Sequence, residues 1–324
     1  TTDQVVALTT DQVGTLTTKQ LASLTTAQLA KMETDDIAVL TTAQLSGLTT
    51  GQMTSLTTAQ IVALTTDQMA GLSTLQLASL NSVQIANMQT RDLAAITTAQ
   101  ITALTTAQMA KLTSDQVVAL TTDQITAMKS AQFAALTTAN LASITTAQIT
   151  SLTTAQIAGL TTAQVIALST DQVASLTTSQ LAALTTAQVA KMETDDIAAI
   201  TTDQITALKT AQINALTTAQ VVALTTAQAA MLTTDQLNAM STDQLAKMQT
   251  DDVAAITTSQ LVALKPAKIS ALTTAQMVGL TSDQIASLTT AQLASLTTAQ
   301  LAKIETGDIA AMTTAQIVSL SKSQ

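Results

Sequence analysis

Cysteine, histidine, tryptophan and tyrosine are all missing from this 324-residue chain, which has one phenylalanine, one proline and seven glycines. Without cysteine there is no disulfide framework and no thiolate metal site. Without cysteine and histidine no nucleophile–base pair can be assembled, and serine or threonine alone is inert without an activating base. No glycine-rich phosphate loop occurs. The sequence therefore reads as a non-enzyme that needs no cofactor. Charge is sparse, at 10% of residues, and acidic, with net −9 and a pI near 4.2. That balance argues against nucleic acid or an anionic membrane surface as partner. The longest apolar runs are four residues, as in Val5–Leu8, too short to span a membrane. A cysteine-free, aromatic-poor, threonine-rich composition suits an abundant extracellular material. Thr1 opens on no secretory-signal pattern, so any such segment is expected outside this sequence.

What is present is one octapeptide, T-T-A-Q-φ-x-x-Leu with φ a large apolar residue, repeated in register from Thr1 through forty copies and half of a forty-first. Position 8 is Leu, Met or Ile in all forty, and position 5 is large and apolar in all but one, where Ala229 is followed by Met231 at position 7. The apolar spacings alternate three and five. A strand needs even spacing to keep both on one face. A continuous helix also fails, because eight residues overshoot two turns by about 80° and the stripe would wind round it. The remaining solution is a short helix of about seven residues that restarts in every octad.

The restart signal is a capping box. Position 1 is Ser or Thr in thirty-one copies and position 4 is Gln in thirty-three. In Ser/Thr-x-x-Gln the hydroxyl accepts from the N3 amide and the Gln side chain reaches back to the N-cap amide. Representative caps are Thr1 with Gln4 and Thr161 with Gln164. Pro266, the only proline, sits at position 2, which would be N1, where its missing N–H costs nothing. Position 2 is Thr or Ser in every other full copy, so its hydroxyl is the competing cap or a bond back to the preceding helix. Charge agrees with the register. All twenty-one acids lie at positions 1, 3 or 4, and five of the twelve basic residues lie at position 7, complementing a dipole that restarts with every octad.

A helix this short is unstable alone in water, so its apolar residues must pack on other octads. That is the logic of a solenoid. The fold expected is all-α, a superhelix of very short helices forming a single continuous array over residues 1–324, with no linker, and part of a longer array. Positions 5 and 8 would face its axis. Glycine avoids positions 8 and 1, where a left-handed reversal would want it, so the corner is expected to be a bend with a new cap. A longer period overlies the octad. Residues 33–40 (ETDDIAVL), 89–96 (QTRDLAAI), 193–200 (ETDDIAAI), 249–256 (QTDDVAAI) and 305–312 (ETGDIAAM) replace both cap and Gln, and Asn140 marks a weaker copy. These variants recur at every seventh octad, with one slip. Cassette duplication explains this, and so does a coil in which seven octads make two turns.

The best chemical candidates are the acids of those octads: Glu33, Asp35 and Asp36, and Glu193, Asp195 and Asp196. Hard oxygen ligands suit calcium, but the EF-hand spacing and turn glycine are missing, and acids in a first helical turn need no metal. Paired threonines could template ordered water or carry O-linked sugars, yet capping already accounts for them. No small-molecule ligand is expected.

The motif L-T-T-x-Q-φ-x-x-L resembles the L-T-P-x-Q-φ-x-x-L repeats of mesothelin-like superhelical proteins and of long repeat segments in large bacterial secreted or surface proteins. Leu264-Lys265-Pro266-Ala267-Lys268-Ile269 is the one copy with the proline, and both its cap and its Gln are replaced by Lys. The resemblance implies a helical superhelix at the cell surface and transfers no functional residue. The role expected is structural: an extracellular fibre, stalk or filament that self-associates. The alternative is a surface binding or adhesion scaffold, with ice binding as a lesser option.

Overall fold

The computed structural model describes residues 1–322 and 324. Each full octad forms one helix, numbered α1 to α40 in order, from α1 (Thr2–Val6) to α40 (Thr314–Val318), with no strand among the described residues. The helices run four to six residues, as in α4 (Thr26–Leu29) and α8 (Thr58–Ala63), shorter than the seven expected. The reason is at the corner. Position 8 has already left the helix: Leu64 has φ −59 and ψ 138, its amide turning back to Ile61 O at 3.3 Å, and Thr65 follows at φ −79 and ψ 161. Two extended residues thus separate helices, and none of the described residues has a positive φ. The chain bends and recaps, as the scarcity of glycine at the corner required.

The cap belongs to position 1. Thr161 Oγ1 accepts from the Gln164 amide at 3.2 Å while Gln164 Oε1 accepts from the Thr161 amide at 2.8 Å. Thr1 and Gln4 form the same box, with the amino terminus as donor to Gln4 Oε1 at 2.7 Å. Position 2 is the first helical residue throughout, including Pro266 in α34 (Pro266–Ile269). Where position 1 is Lys, Gln or Glu, as at Lys129, Gln89 and Glu33, the position-1 side chain does not cap the helix, although Gln132 Oε1 still accepts from the Lys129 amide at 2.9 Å.

Packing divides the chain into two units, Thr1–Leu168 and Ser169–Gln324, each built alike. Within each, a helix packs on the helix three octads further on: α9 (Thr66–Ala70) on α12 (Thr90–Ala95) in the first, α36 (Ser282–Ser287) on α39 (Thr306–Ala311) in the second. Positions 5 and 8 form the core, as with Ile61, Leu64, Leu93 and Ile96, or Ile205, Leu208, Leu237 and Met240. Each such side chain contributes on the order of 1.5–3 kcal/mol on burial, which offsets the weakness of the isolated helix. Position 2 meets position 7 of the octad packed against it. A Cβ added at Gly71 would stand 2.9 Å from Thr42 Cγ2, and one at Gly279 would run into Thr250 Cγ2. Hence position 7 favours small residues. At the exceptional octad Ala229 is fully buried, and Met231 does not fill its place but stays 48% exposed.

Candidate functional site

The residue with most to do is the position-4 glutamine. It is buried in nearly every octad from Gln44 onward, which its capping role alone does not require. The cause is its amide nitrogen. Gln124 Oε1 accepts from its own N-cap, Thr121 N, at 2.8 Å, while Nε2 donates to Leu93 O at 2.9 Å, Ala94 O at 3.2 Å and Ile96 O at 2.7 Å. Gln60 reaches Leu29 O and Met32 O, and in the second unit Gln236 reaches Ile205 O and Leu208 O. The bonds run to carbonyls 28, 30 and 31 residues earlier. These are positions 8, 6 and 5 of the preceding turn, carbonyls at the C-terminal end of a helix, of which position 5 often also accepts from the position-8 amide, as Leu29 O does from Met32 N at 3.2 Å. One side chain therefore closes an N-terminus and, across the coil, a C-terminus.

The offset of 28 residues between Gln124 and Ile96 is three and a half octads. Two such steps make seven octads, so within each unit the variant octads fall on the same side. This supports the geometric account of the superperiod. The signal in the sequence was the identity of the residue: a capping box accepts Glu as readily as Gln, yet Glu never occupies position 4. Of the two, only the amide both accepts and donates, since an ionised carboxylate accepts alone.

Exceptions redistribute these tasks. Asn140, one methylene shorter, still donates from Nδ2 to Leu112 O at 3.1 Å. In the proline octad Lys268 Nζ donates to Met240 O, and the Lys265 amide, which lacks a glutamine oxygen, donates instead to Asn238 Oδ1 at 3.0 Å. Asn238 Nδ2 in turn donates to Ala263 O at 3.0 Å.

The five aspartates at position 4, Asp36, Asp92, Asp196, Asp252 and Asp308, cannot donate when ionised, yet all are buried. Four accept from a position-2 hydroxyl 26 residues earlier: Thr66 to Asp92 at 2.9 Å, Thr170 to Asp196 at 3.2 Å, Thr226 to Asp252 at 2.9 Å and Ser282 to Asp308 at 2.5 Å. In two of these octads the position-1 glutamine covers a vacated carbonyl, Gln89 Nε2 donating to Val62 O at 2.6 Å and Gln249 Nε2 to Val222 O at 2.8 Å. Asp36, Asp92 and Asp252 each keep a buried Oδ2 with no hydrogen-bond partner. Burial raises the Asp196 and Asp252 carboxyls above the ordinary value of 3.8, against the opposing pull of the Thr170 and Thr226 hydroxyls. Among the described residues the one ion pair is Arg91 Nε with Asp92 Oδ1 at 3.4 Å.

The calcium candidates are split by the fold. Asp36 and Asp196 face the interior, whereas Glu33, Asp35, Glu193 and Asp195 are exposed. No three Asp, Glu, His or Cys side chains converge on a possible metal position among the described residues. No described helix is long and apolar enough to cross a membrane.

No curated protein matches the chain. The ALTTAQ repeat family does, over residues 29–66, 85–122, 125–162, 133–170, 141–178, 160–194, 189–226, 253–290 and 301–324. The Leu-Thr-Thr-x-Gln run of the octads is the run in that repeat's name, the match covers well more than half of the length, and the chain belongs to the ALTTAQ repeat family.

Proposed function

We propose that the chain is a structural element, a segment of an extracellular fibre, stalk or filament. The observation that carries this reading is the uniformity of the exposed positions. Octad after octad presents threonine at positions 1 and 2 and mostly Ala, Asp or Ser at position 3. A repeat scaffold that selects a partner does so with a surface of diverse residues. A surface that repeats itself instead offers the same contact many times, and a heterologous contact that does not close propagates into an open assembly. The resemblance to repeat segments of large bacterial surface proteins supports the extracellular placement.

A binding or adhesion scaffold is the second reading. It draws on Leu75 and Val83, which stand exposed at position 3 of successive octads. Electron microscopy with sedimentation at micromolar concentration and physiological salt separates the two. Long uniform filaments or bundles support the fibre. A strictly monomeric rod, unchanged on concentration, puts the scaffold first.

A further inference from the structure

The position-4 aspartates raise a question that the repeat itself poses. From Gln44 onward, side chains of the other types at this place carry a donor towards the carbonyl 28 residues earlier: Gln244 to Leu216 O at 2.7 Å, Asn140 to Leu112 O at 3.1 Å and Lys268 to Met240 O. Asp252 occupies the same place, 1% exposed. Its Oδ1 accepts from Thr226 Oγ1 at 2.9 Å, and its Oδ2 has no partner. The register-matched acceptor is Leu224 O, and among the described residues no hydrogen bond reaches it. By register, Asp252 Oδ2 and Leu224 O, two acceptors with no hydrogen-bond donor, belong to the same place in the repeat, with the Gln249 amide near the carboxyl as a weaker influence that favours its ionised form. Ionised, they leave a buried charge and an orphan carbonyl.

Among the described residues no ion pair answers that charge. On its own helix, α32 (Thr250–Ala254), the charged neighbour is Asp251, exposed and of like sign. The helices packed against it, α29 (Thr226–Met231) and α35 (Thr274–Val278), carry no charged residue. Neither does α28 (Thr218–Val222), which precedes Leu224. Asp92 shares the geometry but has the Arg91 guanidinium beside it, so Asp252 is the clearest copy.

We propose that the Asp252 carboxyl is a proton latch between successive turns of the coil: protonated, it donates from Oδ2 to Leu224 O as the glutamines do, and loss of that proton to solvent opens the seam at this turn. The raised carboxyl of Asp252, pushed up first by burial, agrees with this. Asp196 and Asp308, seven octads to either side, are buried at the same position of the repeat, but Asp196 Oδ2 accepts from the Glu193 amide at 3.3 Å, so of the three Asp252 is the one with an unpartnered buried Oδ2. The turn would then be tightest in acid and loosen towards alkaline pH. The inference is independent of the fibre reading, since it concerns a seam within one chain.

The test is Asp252→Asn in the full chain. Asparagine is the permanent mimic of the protonated acid, and Asn140 already holds this position. Thermal unfolding of both chains is followed by circular dichroism at about pH 4 and about pH 8, with EDTA and separately with calcium. The expected result is near-equal midpoints in acid and a clear advantage for the asparagine chain at the alkaline end, independent of calcium. Infrared spectroscopy of the unchanged chain should also show a protonated-carboxyl stretch that outlasts the ordinary carboxylate titration and diminishes in the variant. An advantage that does not grow with pH would overturn the latch. So would restoration of the unchanged chain by calcium alone, which would make a cation the occupant.

Discussion

Gln124 Nε2 lies 2.7 Å from Ile96 O, across 28 residues of chain. The same relationship recurs between Gln84 and Leu56, Gln116 and Met88, and Gln292 and Leu264. It makes the pitch of the coil a property of one side-chain type. It also ranks the two halves of the capping box, since the threonine acts within one helix and the glutamine acts between turns.

Gln164 provides the direct comparison. Thr161→Ala removes a cap and should cost about 1 kcal/mol. Gln164→Glu retains an oxygen for the Thr161 amide but sets a buried carboxylate against Leu136 O and Ala134 O, now 2.8 and 3.1 Å from the amide nitrogen. It should cost more, on the order of 2–3 kcal/mol, because two acceptors lose their donor in a dry site. Denaturant unfolding with hydrogen exchange over residues 129–168 reads both. Equal costs would mean that capping is the glutamine's whole contribution.

The proline octad predicts a coupled pair. Asn238 covers the Lys265 amide that no glutamine oxygen reaches. Asn238→Ala should therefore destabilise that turn by about 1–2 kcal/mol. Lys268→Gln supplies the missing oxygen, and in that background the same change should cost clearly less. The double-mutant cycle gives the coupling energy, and additivity would contradict the shared role.

Glycine substitutions should differ in sign. Gly14 has open space around a would-be Cβ and lies at the end of α2 (Thr10–Gly14) with no positive φ. Gly14→Ala should stabilise by roughly 0.4–1 kcal/mol. Gly279→Ala must displace Thr250 Cγ2 and should destabilise by about 1–3 kcal/mol. Thermal midpoints of the two single variants decide it.

Asp196 yields a pH prediction. Its folded carboxyl is raised by burial and lowered by the Thr170 hydroxyl. A raised acid adds stability that is fully present below its unfolded value and is lost as pH rises through the folded value. Stability from this group should therefore fall from acid towards neutral pH, opposite to a salt-bridged carboxylate. Thr170→Val removes the donor that favours the ionised form. It should cost little near pH 4 and about 1–2 kcal/mol more near neutrality. Denaturation midpoints at both pH values test it, and a pH-independent cost would show that the hydroxyl's bond is immaterial.

Much of this architecture was legible because the octad repeats without a slip. The alternating spacing of residues such as Val5, Leu8 and Val13 excluded strand and long helix, and Thr-x-x-Gln fixed the restart. Pro266 stands as the first residue of its helix, after the N-cap Lys265. The helices were overestimated in length because position 8 reads as apolar whether it ends a helix or follows one. Leu64 is buried from an extended backbone, and hydrophobicity does not distinguish the two. The burial of Gln44 and its successors was missed because a capping box already explained glutamine. The partner carbonyls, such as Leu16 O for Gln44, lie 28 residues away, where no local pattern points. For the same reason Asp36 and Asp196 were read with their exposed neighbours Glu33, Asp35, Glu193 and Asp195 as one acidic cluster, although adjacent positions face opposite sides of the wall. Asn238 could not be singled out at all, since its task exists only because Lys268 took another's place.

The clasp between turns also has a mechanical meaning. Successive turns are joined by amide-to-carbonyl bonds and apolar contacts, not by covalent crosslinks. Tension that separates two turns loads those bonds directly. When the overlapping clasps of one turn, Gln228 to Ile200, Gln236 to Leu208 and Gln244 to Leu216, give way together, the chain between them can run out. Fully extended, the 28 residues that such a clasp spans would reach roughly 90–100 Å. Each turn therefore holds a fixed length of slack, so a unit of this kind is expected to lengthen turn by turn under tension.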